Sequence, residues 1–511
     1  MNAAVTSSKP ALNRRMITAT VMLASILQTL DNTIANVALP HMQGSLSATQ
    51  EQMSWVLTSY IVAAAIMTPV TGWLASQFGR RQLFLGSILG FTLASVLCGI
   101  AQSLPEMVLF RFIQGVAGAA LVPMSQAVLF DINPPERHGK AMAAWGQGVL
   151  LGPMLGPILG GWLTDNYSWR WVFYINVPLG IMAFVGVLLF LPKDETRPSQ
   201  FDLFGFTLLS LGIGALQIML DRGSTLDWFG SREIWIESIV AGLAFYLFAV
   251  HSATSKNPFI PPALFKDRNF LTGNVFIFVI GVVLFATLAL LPTMLQVLMG
   301  YPVYYAGLLT APRSLGTLAA MLIVGQLVGR FDSRLIIASG FGLTAISLWQ
   351  MTQFDMQMDA SPVFWSGILQ GLGTGIIFVP MAAMTFATLP GNLRNEASAM
   401  FSLARNIGSS IGISVVQALL ISNTQVMHAS LSELVSPFNL ANRNPQLAAQ
   451  LTTHEGSAGL NAAITGQASM VAYIDDFKLM LILTLLALPL LLLVRAPQKA
   501  NAEDAPHVAA E

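Results

Sequence analysis

Fourteen stretches of roughly twenty mostly apolar residues follow one another along this 511-residue chain, and nothing else constrains its fold as strongly. They lie near 16–38, 53–75, 83–102, 106–130, 141–163, 170–191, 203–220, 234–251, 270–296, 304–328, 334–353, 362–388, 397–421 and 475–495. About 20 such residues cross a hydrocarbon core as a helix. In lipid only helices and closed barrels satisfy their own backbone hydrogen bonds. The pattern therefore predicts an all-α integral membrane protein. Charged residues are only 10% of the chain, against about 25% in soluble domains. The net charge of zero gives nucleic acid no electrostatic footprint. The single cysteine, Cys98, forms no intramolecular disulfide and no metal cluster. The stretch from Met16 is too long for a signal-peptide core and carries Asp31, so it is expected to remain as the first span.

An even number of spans puts both termini on one side, and Lys and Arg choose that side. With the N-terminus inside, 17 of the 25 Lys and Arg fall on inside segments and 4 on outside loops. The expectation is a multi-pass protein of the bacterial inner (cytoplasmic) membrane with both ends cytoplasmic.

The chain also repeats itself. Gly72–Arg81 returns as Gly325–Arg334, Gln114-Gly115 as Gln370-Gly371, and Gly152 and Gly156 as Gly408 and Gly412, at offsets of 253 to 256. This implies two parallel six-helix halves with two helices inserted, the plan of a major facilitator fold. The expected divisions are a cytoplasmic N-terminus at 1–15, a first half at 16–191, and inserted helices at 203–251. A second half at 270–495 and a cytoplasmic tail at 496–511 complete it. Within the second half, 422–474 reads as a long polar outside loop. It is either a solvated linker or a docking element for a periplasmic partner.

Asp31 is the first candidate for chemistry, about nine residues (roughly 13 Å) before Pro40 in the first span. An acid at that depth is expensive and functional by default. Gln28, Asn32 and Asn36 give the same helix a polar stripe and are candidates for a substrate path. Arg111, a few residues into the fourth span, is the candidate counter-ion, and Gln114 follows one turn later. The second half has Gly367 in place of Arg111, so the architecture itself does not require that arginine. Arg405 is a second-half candidate for the path. Gly148, Gly152, Gly156 and Gly160 recur every four residues with Pro153 and Pro157 between them and Gly161 after. Such a surface allows backbone-to-backbone helix packing and bending. Gly72, Gly79, Arg80 and Arg81 form a short basic inside loop, a topology signal and a candidate gate. Asp475 and Asp476 are expected to mark the outer edge of the last span.

No Gly-x-x-x-x-Gly-Lys-Ser/Thr loop is present, so no ATP-driven pump is encoded. The six histidines fall in loops, at a helix end or in the tail, away from any metal-ligating cluster. No cofactor or metal is expected; a proton gradient would supply the energy.

The segment Leu30-Asp-Asn-Thr-Ile-Ala-Asn-Val-Ala-Leu-Pro40 resembles the first-helix signature of the fourteen-helix drug:proton antiporters of the major facilitator superfamily, the EmrB/QacA type. The loop Gly72–Arg81, the segment Arg111–Gly118, the run Gly152–Gly161, and the stretches Trp169–Pro178 and Leu216–Gly223 are similar to further motifs of that family. The resemblance implies export of hydrophobic or amphipathic small molecules in exchange for protons. Asp31 and Arg111 would act in proton coupling, and 148–161 would be the antiporter motif. It also implies a periplasmic membrane-fusion adaptor and an outer-membrane channel as partners. The family's cytoplasmic loop carries an acid where this chain has Ser76, so an ion-pair latch through that position is unavailable. The alternative within transport is a dedicated exporter of a lipid-like metabolite, a fatty acid or siderophore. A membrane-embedded enzyme is the remote alternative.

Overall fold

The computed structural model describes residues 14–493 apart from 49, 135–136, 194–195, 197–199, 224, 257, 329, 391–392 and 435–452. Most of the two terminal segments expected in the cytoplasm, and the middle of the 422–474 segment, lie outside the described residues.

The first half holds α1 (Arg14–Ser45), α2 (Gln50–Met67), α3 (Val70–Phe78), α4 (Arg80–Ile100), α5 (Leu104–Gly118), α6 (Leu121–Ile132), α7 (His138–Asn166), α8 (Trp171–Tyr174) and α9 (Asn176–Phe190). A hairpin follows, α10 (Leu203–Arg222) and α11 (Arg232–Thr254). After the short α12 (Ala263–Lys266), the second half holds α13 (Arg268–Thr293), α14 (Val303–Thr310), α15 (Pro312–Leu327), α16 (Ser333–Met351), α17 (Ser361–Ala387), α18 (Arg394–Leu434) and α19 (His454–Ala487). No β-strand occurs among the described residues.

The halves repeat in packing as well as in sequence. α1 lies on α7 as α13 lies on α18; α2 lies on α5 as α15 lies on α17; α4 lies on α9 as α16 lies on α19. Among the described residues, eleven helices are long and apolar enough to cross a membrane, or twelve if α2 and α3 count as one bent span. α1 and α16 fall outside that set, yet each packs against the spanning helices, α1 on α7 and α16 on α17. Leu93, Ile181, Leu189, Ile239 and Leu322 are each more than half exposed, an outward apolar surface suited to lipid rather than water. Phe84, Phe91, Phe276 and Phe341 fill the interior.

Several expected spans are broken. The second divides at Pro69, where α2 and α3 bend by 58°, because proline lacks the N–H that would continue the helix. The tenth divides into α14 and α15 at Pro312. The loop expected at 422–474 is largely helix: α18 runs to Leu434 and α19 begins at His454. The ring of His428 meets Asn461 Oδ1 at 2.9 Å, tying the two extensions together. Hydropathy falls there, so an apolar count ends each helix early, but Ala, Gln and Ser still support a helical backbone. The last helix consequently starts 22 residues ahead of Asp476, which is fully buried.

Candidate functional site

Ser103 caps α5 by accepting from the Glu106 N–H, with Pro105 in the first turn. This start places Arg111 two turns inside, facing α1. There Arg111 Nη1 donates to Asp31 Oδ2 at 2.6 Å, and both side chains are fully buried. Gln114 Nε2 and Asn176 Nδ2 donate to Asp31 Oδ1 at 2.9 and 2.7 Å. The carboxylate thus takes hydrogen bonds from α5 and α9 while standing on α1. Arg111 is held in turn: its Nε–H donates to Val56 O at 3.1 Å and Nη1 to Gln114 Oε1 at 2.8 Å. The Tyr60 ring lies 4.4 Å from the guanidinium carbon, within cation–π range. Asn176 also donates to Ser95 Oγ at 2.9 Å, bringing α4 into the network.

Sequence reasoning named Asp31, Arg111 and Gln114, and the fold brings all three together. It missed Asn176, Ser95 and Tyr60. Asn176 was visible as an amide inside the apolar stretch Trp169–Pro178, one step into a helix whose Pro178 sits where the first turn tolerates it. Ser95 and Tyr60 carry no such signal.

Gln28, Asn32 and Asn36 make no hydrogen bond to Asp31 or Arg111, although Gln28 and Asn32 reach the Tyr60 hydroxyl. At 100° per residue they lie on α1 between the Asp31 face and the face against α7, Gln28 half-buried and the two asparagines exposed. Arg405 is half-buried on α18 in the other half and makes no ion pair among the described residues.

The glycine run faces α1. A Cβ at Gly148 would stand 2.1 Å from Met22 Sδ, one at Gly152 2.7 Å from the Leu30 backbone nitrogen, and one at Gly156 2.1 Å from Thr33 Oγ1. Thr29 and Thr33 donate across the seam to the Val149 and Gly152 carbonyls, each at 3.2 Å. The seam therefore brackets Asp31. Gly160 is buried and Pro153 half-buried; the Pro157 side chain lies outside the described ones. Gly161 has open space at its Cβ position and takes no part. In the second half Gly408 and Gly412 meet the Phe278 and Val282 backbones in the same manner.

At the end of the bundle assigned by charge to the cytoplasm, Gly79 turns the chain with φ +83° between α3 and α4. Ser76 donates to Gly72 O within its own helix. Arg80 pairs with Asp131 at the end of α6, and Arg394 Nη1 on α18 donates to the same carboxylate at 2.9 Å. Arg81 donates to Leu188 O at 2.5 Å. Gly72 admits α18 closely, since a Cβ there would stand 3.1 Å from the Glu396 backbone. Asp131 therefore supplies from α6 the acid that position 76 lacks. Its only sequence signal was being a lone acid at the end of the fourth span.

The sequence model of the Major Facilitator Superfamily matches residues 21–413. The chain is 39% identical over 427 residues to the multidrug export protein EmrB of Escherichia coli K12, covering 83% of each. It is 36% identical over 488 residues to the fatty acid resistance protein FarB of Neisseria gonorrhoeae, covering 94% of this chain and 96% of that one. Among solved structures it is similar in fold to the human organic anion transporter MFSD10, with a TM-score of 0.60 and 14% identity, covering 93% of this chain and all of the other. The proton:xylose symporter XylE aligns with a TM-score of 0.58 and 16% identity, over 92% and 94%. With its paired halves and a family match across most of its length, the chain belongs to the major facilitator superfamily, in the EmrB-like branch of its antiporters, and is a transporter rather than an enzyme.

Proposed function

We propose that this chain exports hydrophobic and amphipathic small molecules across the bacterial inner membrane in exchange for protons, with fourteen spans and both termini cytoplasmic. The observation that carries the reading is Asp31, a fully buried carboxylate held by Arg111, Gln114 and Asn176. In this ion-paired state the carboxylate is charged and balanced. A proton arriving from the periplasm neutralises it and frees Arg111. Rocking of the halves then exposes the acid to the cytoplasm, where the proton leaves and Arg111 returns. The Gly148–Gly160 seam lets α1 move against α7 without opening a void. The contacts of Asp131 and Arg394 support an outward-facing state closed at the cytoplasmic end.

The 41 residues of α18 span about 60 Å, twice a hydrocarbon core of about 30 Å. Its far end, paired with α19, supports docking of a periplasmic adaptor that hands substrate to an outer-membrane channel.

A second reading, export of fatty-acid-like anions, is favoured by one feature. Buried Arg313 and half-buried Arg405 form no ion pair among the described residues, leaving two cations for an anionic head group. The name of the FarB relative points the same way.

The test uses sealed proteoliposomes under an imposed pH gradient, with ethidium and oleate as probes. Wild type is expected to accumulate ethidium and Asp31→Asn to bind it without accumulating it. Equal accumulation by both removes Asp31 from coupling. Accumulation of oleate alone selects the second reading.

A further inference from the structure

The second half rebuilds the polar node without its charges. Gln370 Nε2 on α17 donates to Thr287 Oγ1 on α13 at 3.1 Å, as Gln114 on α5 donates to Asp31 on α1. Met480 Sδ on α19 lies 3.6 Å from that same Thr287 oxygen. In the first half the corresponding last helix, α9, brings Asn176. Where the first half has Arg111, the second has Gly367.

One turn before Met480, on the same face of α19, stands Asp476. It is 0% exposed, and neither carboxyl oxygen has a hydrogen-bond partner. Gln370 Oε1 is likewise buried without a donor. The ionisable groups beside Asp476 are Tyr473 and Asp475 on its own helix, and Asp475 is taken by Lys478 at 3.0 Å. α13, α16 and α18 pack on α19, and none of their charged residues — Arg268, Arg334, Arg394, Glu396, Arg405, Glu433 — pairs with it. Phe477, Tyr473 and Met480 belong to the apolar cluster around it. A lone ionised carboxylate in such a place costs far more than the neutral acid, and an acid inside a span is functional by default. Asp31 answers that cost with Arg111; Asp476 has no such answer.

We infer that Asp476 is a second proton carrier of the transport cycle, protonated in the conformation described and releasing its proton to water when α19 shifts against α13 and α16. The inference rests on the proposed proton coupling and deepens it: two protons, one from each half, accompany each substrate. Only the carboxyl O–H bond breaks, leaving carboxylate and hydrated proton.

Two measurements on the full chain test it. Infrared spectra of the protein near neutral pH should show a buried protonated carboxyl band that Asp476→Asn removes and Asp31→Asn retains. In proteoliposomes Asp476→Asn should keep ethidium–ethidium exchange at equal pH. Its gradient-driven accumulation should fall about tenfold per unit of pH gradient, because each proton carried contributes one factor of ten, and Asp476→Glu should restore it. An unchanged band, or an unchanged count of protons per ethidium, overturns the inference, as does loss of ethidium exchange with a neutral probe spared, which marks a substrate-cation site. Should Asp476→Asn not fold, Asp476→Glu must shift the band, and an unshifted band overturns the assignment. If wild type itself accumulates neither ethidium nor oleate, proton coupling fails and takes this inference with it. If wild type accumulates and Asp476→Asn matches it, only this inference falls.

Discussion

Arg394 and Asp131 lie 263 residues apart in sequence and meet at 2.9 Å, the first turn of α18 in the second half against the end of α6 in the first. Arg80 shares the same carboxylate, so one acid links the basic loop to both halves. Asp131 is 28% exposed and its partners 17% and 22%, so solvent screens the cluster in part.

Loss of that acid should loosen the closed end. Exposed pairs contribute at most about 1 kcal/mol each, so Asp131→Asn should shift the opening equilibrium by up to about thirtyfold. Spin labels at Gln82 and Leu335, both exposed at this end, should report longer and broader distances in a Cys98→Ala background. Added salt should move wild type the same way. Unchanged distances in Asp131→Asn would mean that apolar contacts alone close the end.

The buried pair should behave differently. Removing one partner of a buried ion pair costs about 3–5 kcal/mol, because the other is left charged and unanswered. Arg111→Gln should therefore lower detergent-solubilised stability more than Arg111→Gln combined with Asp31→Asn. Thermal unfolding of the two single variants and the double variant provides the cycle. Strict additivity would show that the contact at 2.6 Å contributes no coupling.

The sequence made the spans, the repeat and the Asp31–Arg111–Gln114 trio legible, because an acid and a base inside apolar stretches have few structural excuses. It hid residues whose importance depends on a partner. Asn176, Ser95 and Tyr60 matter through what α9, α4 and α2 bring to Asp31 and Arg111, and Asp131 matters only because Arg394 comes back to it. Helix ends went astray where hydropathy and helicity diverge: α18 and α19 continue through residues polar enough to leave the bilayer. The same error set Asp475 and Asp476 at a helix start, whereas α19 begins at His454 and buries Asp476 among its neighbours.

The α1–α7 seam predicts a graded response among glycines of one motif. Gly152→Ala sets a methyl 2.7 Å from the Leu30 backbone, which cannot rotate away, whereas Gly161→Ala enters open space. Overpacking of this kind costs about 1–3 kcal/mol. Gly152→Ala should lower the unfolding temperature and the exchange rate, with Gly161→Ala indistinguishable from wild type. Equal effects from both would show that the run acts through backbone flexibility and not through contact.

The inserted hairpin carries a pH prediction at its base. Asp202 caps α10, accepting from the Gly205 N–H at 2.9 Å and the Phe259 N–H at 3.0 Å, with the His251 ring at 2.8 Å. Burial works to raise this carboxyl, but the hydrogen bonds from Gly205, His251 and Phe259 outweigh it and hold it below the usual carboxylate range. A depressed acid contributes stability above its unfolded value, near pH 4, and loses it as pH falls through the lower folded value. Asp202→Ala should therefore destabilise the protein by about 1 kcal/mol, typical of a lost cap, with the same deficit at pH 7 and pH 5. The gap between wild type and variant should close only below about pH 4. Unfolding temperatures measured across that range check it: a gap already closing between pH 7 and pH 5 would show that the Asp202 carboxyl is not held below the usual carboxylate range.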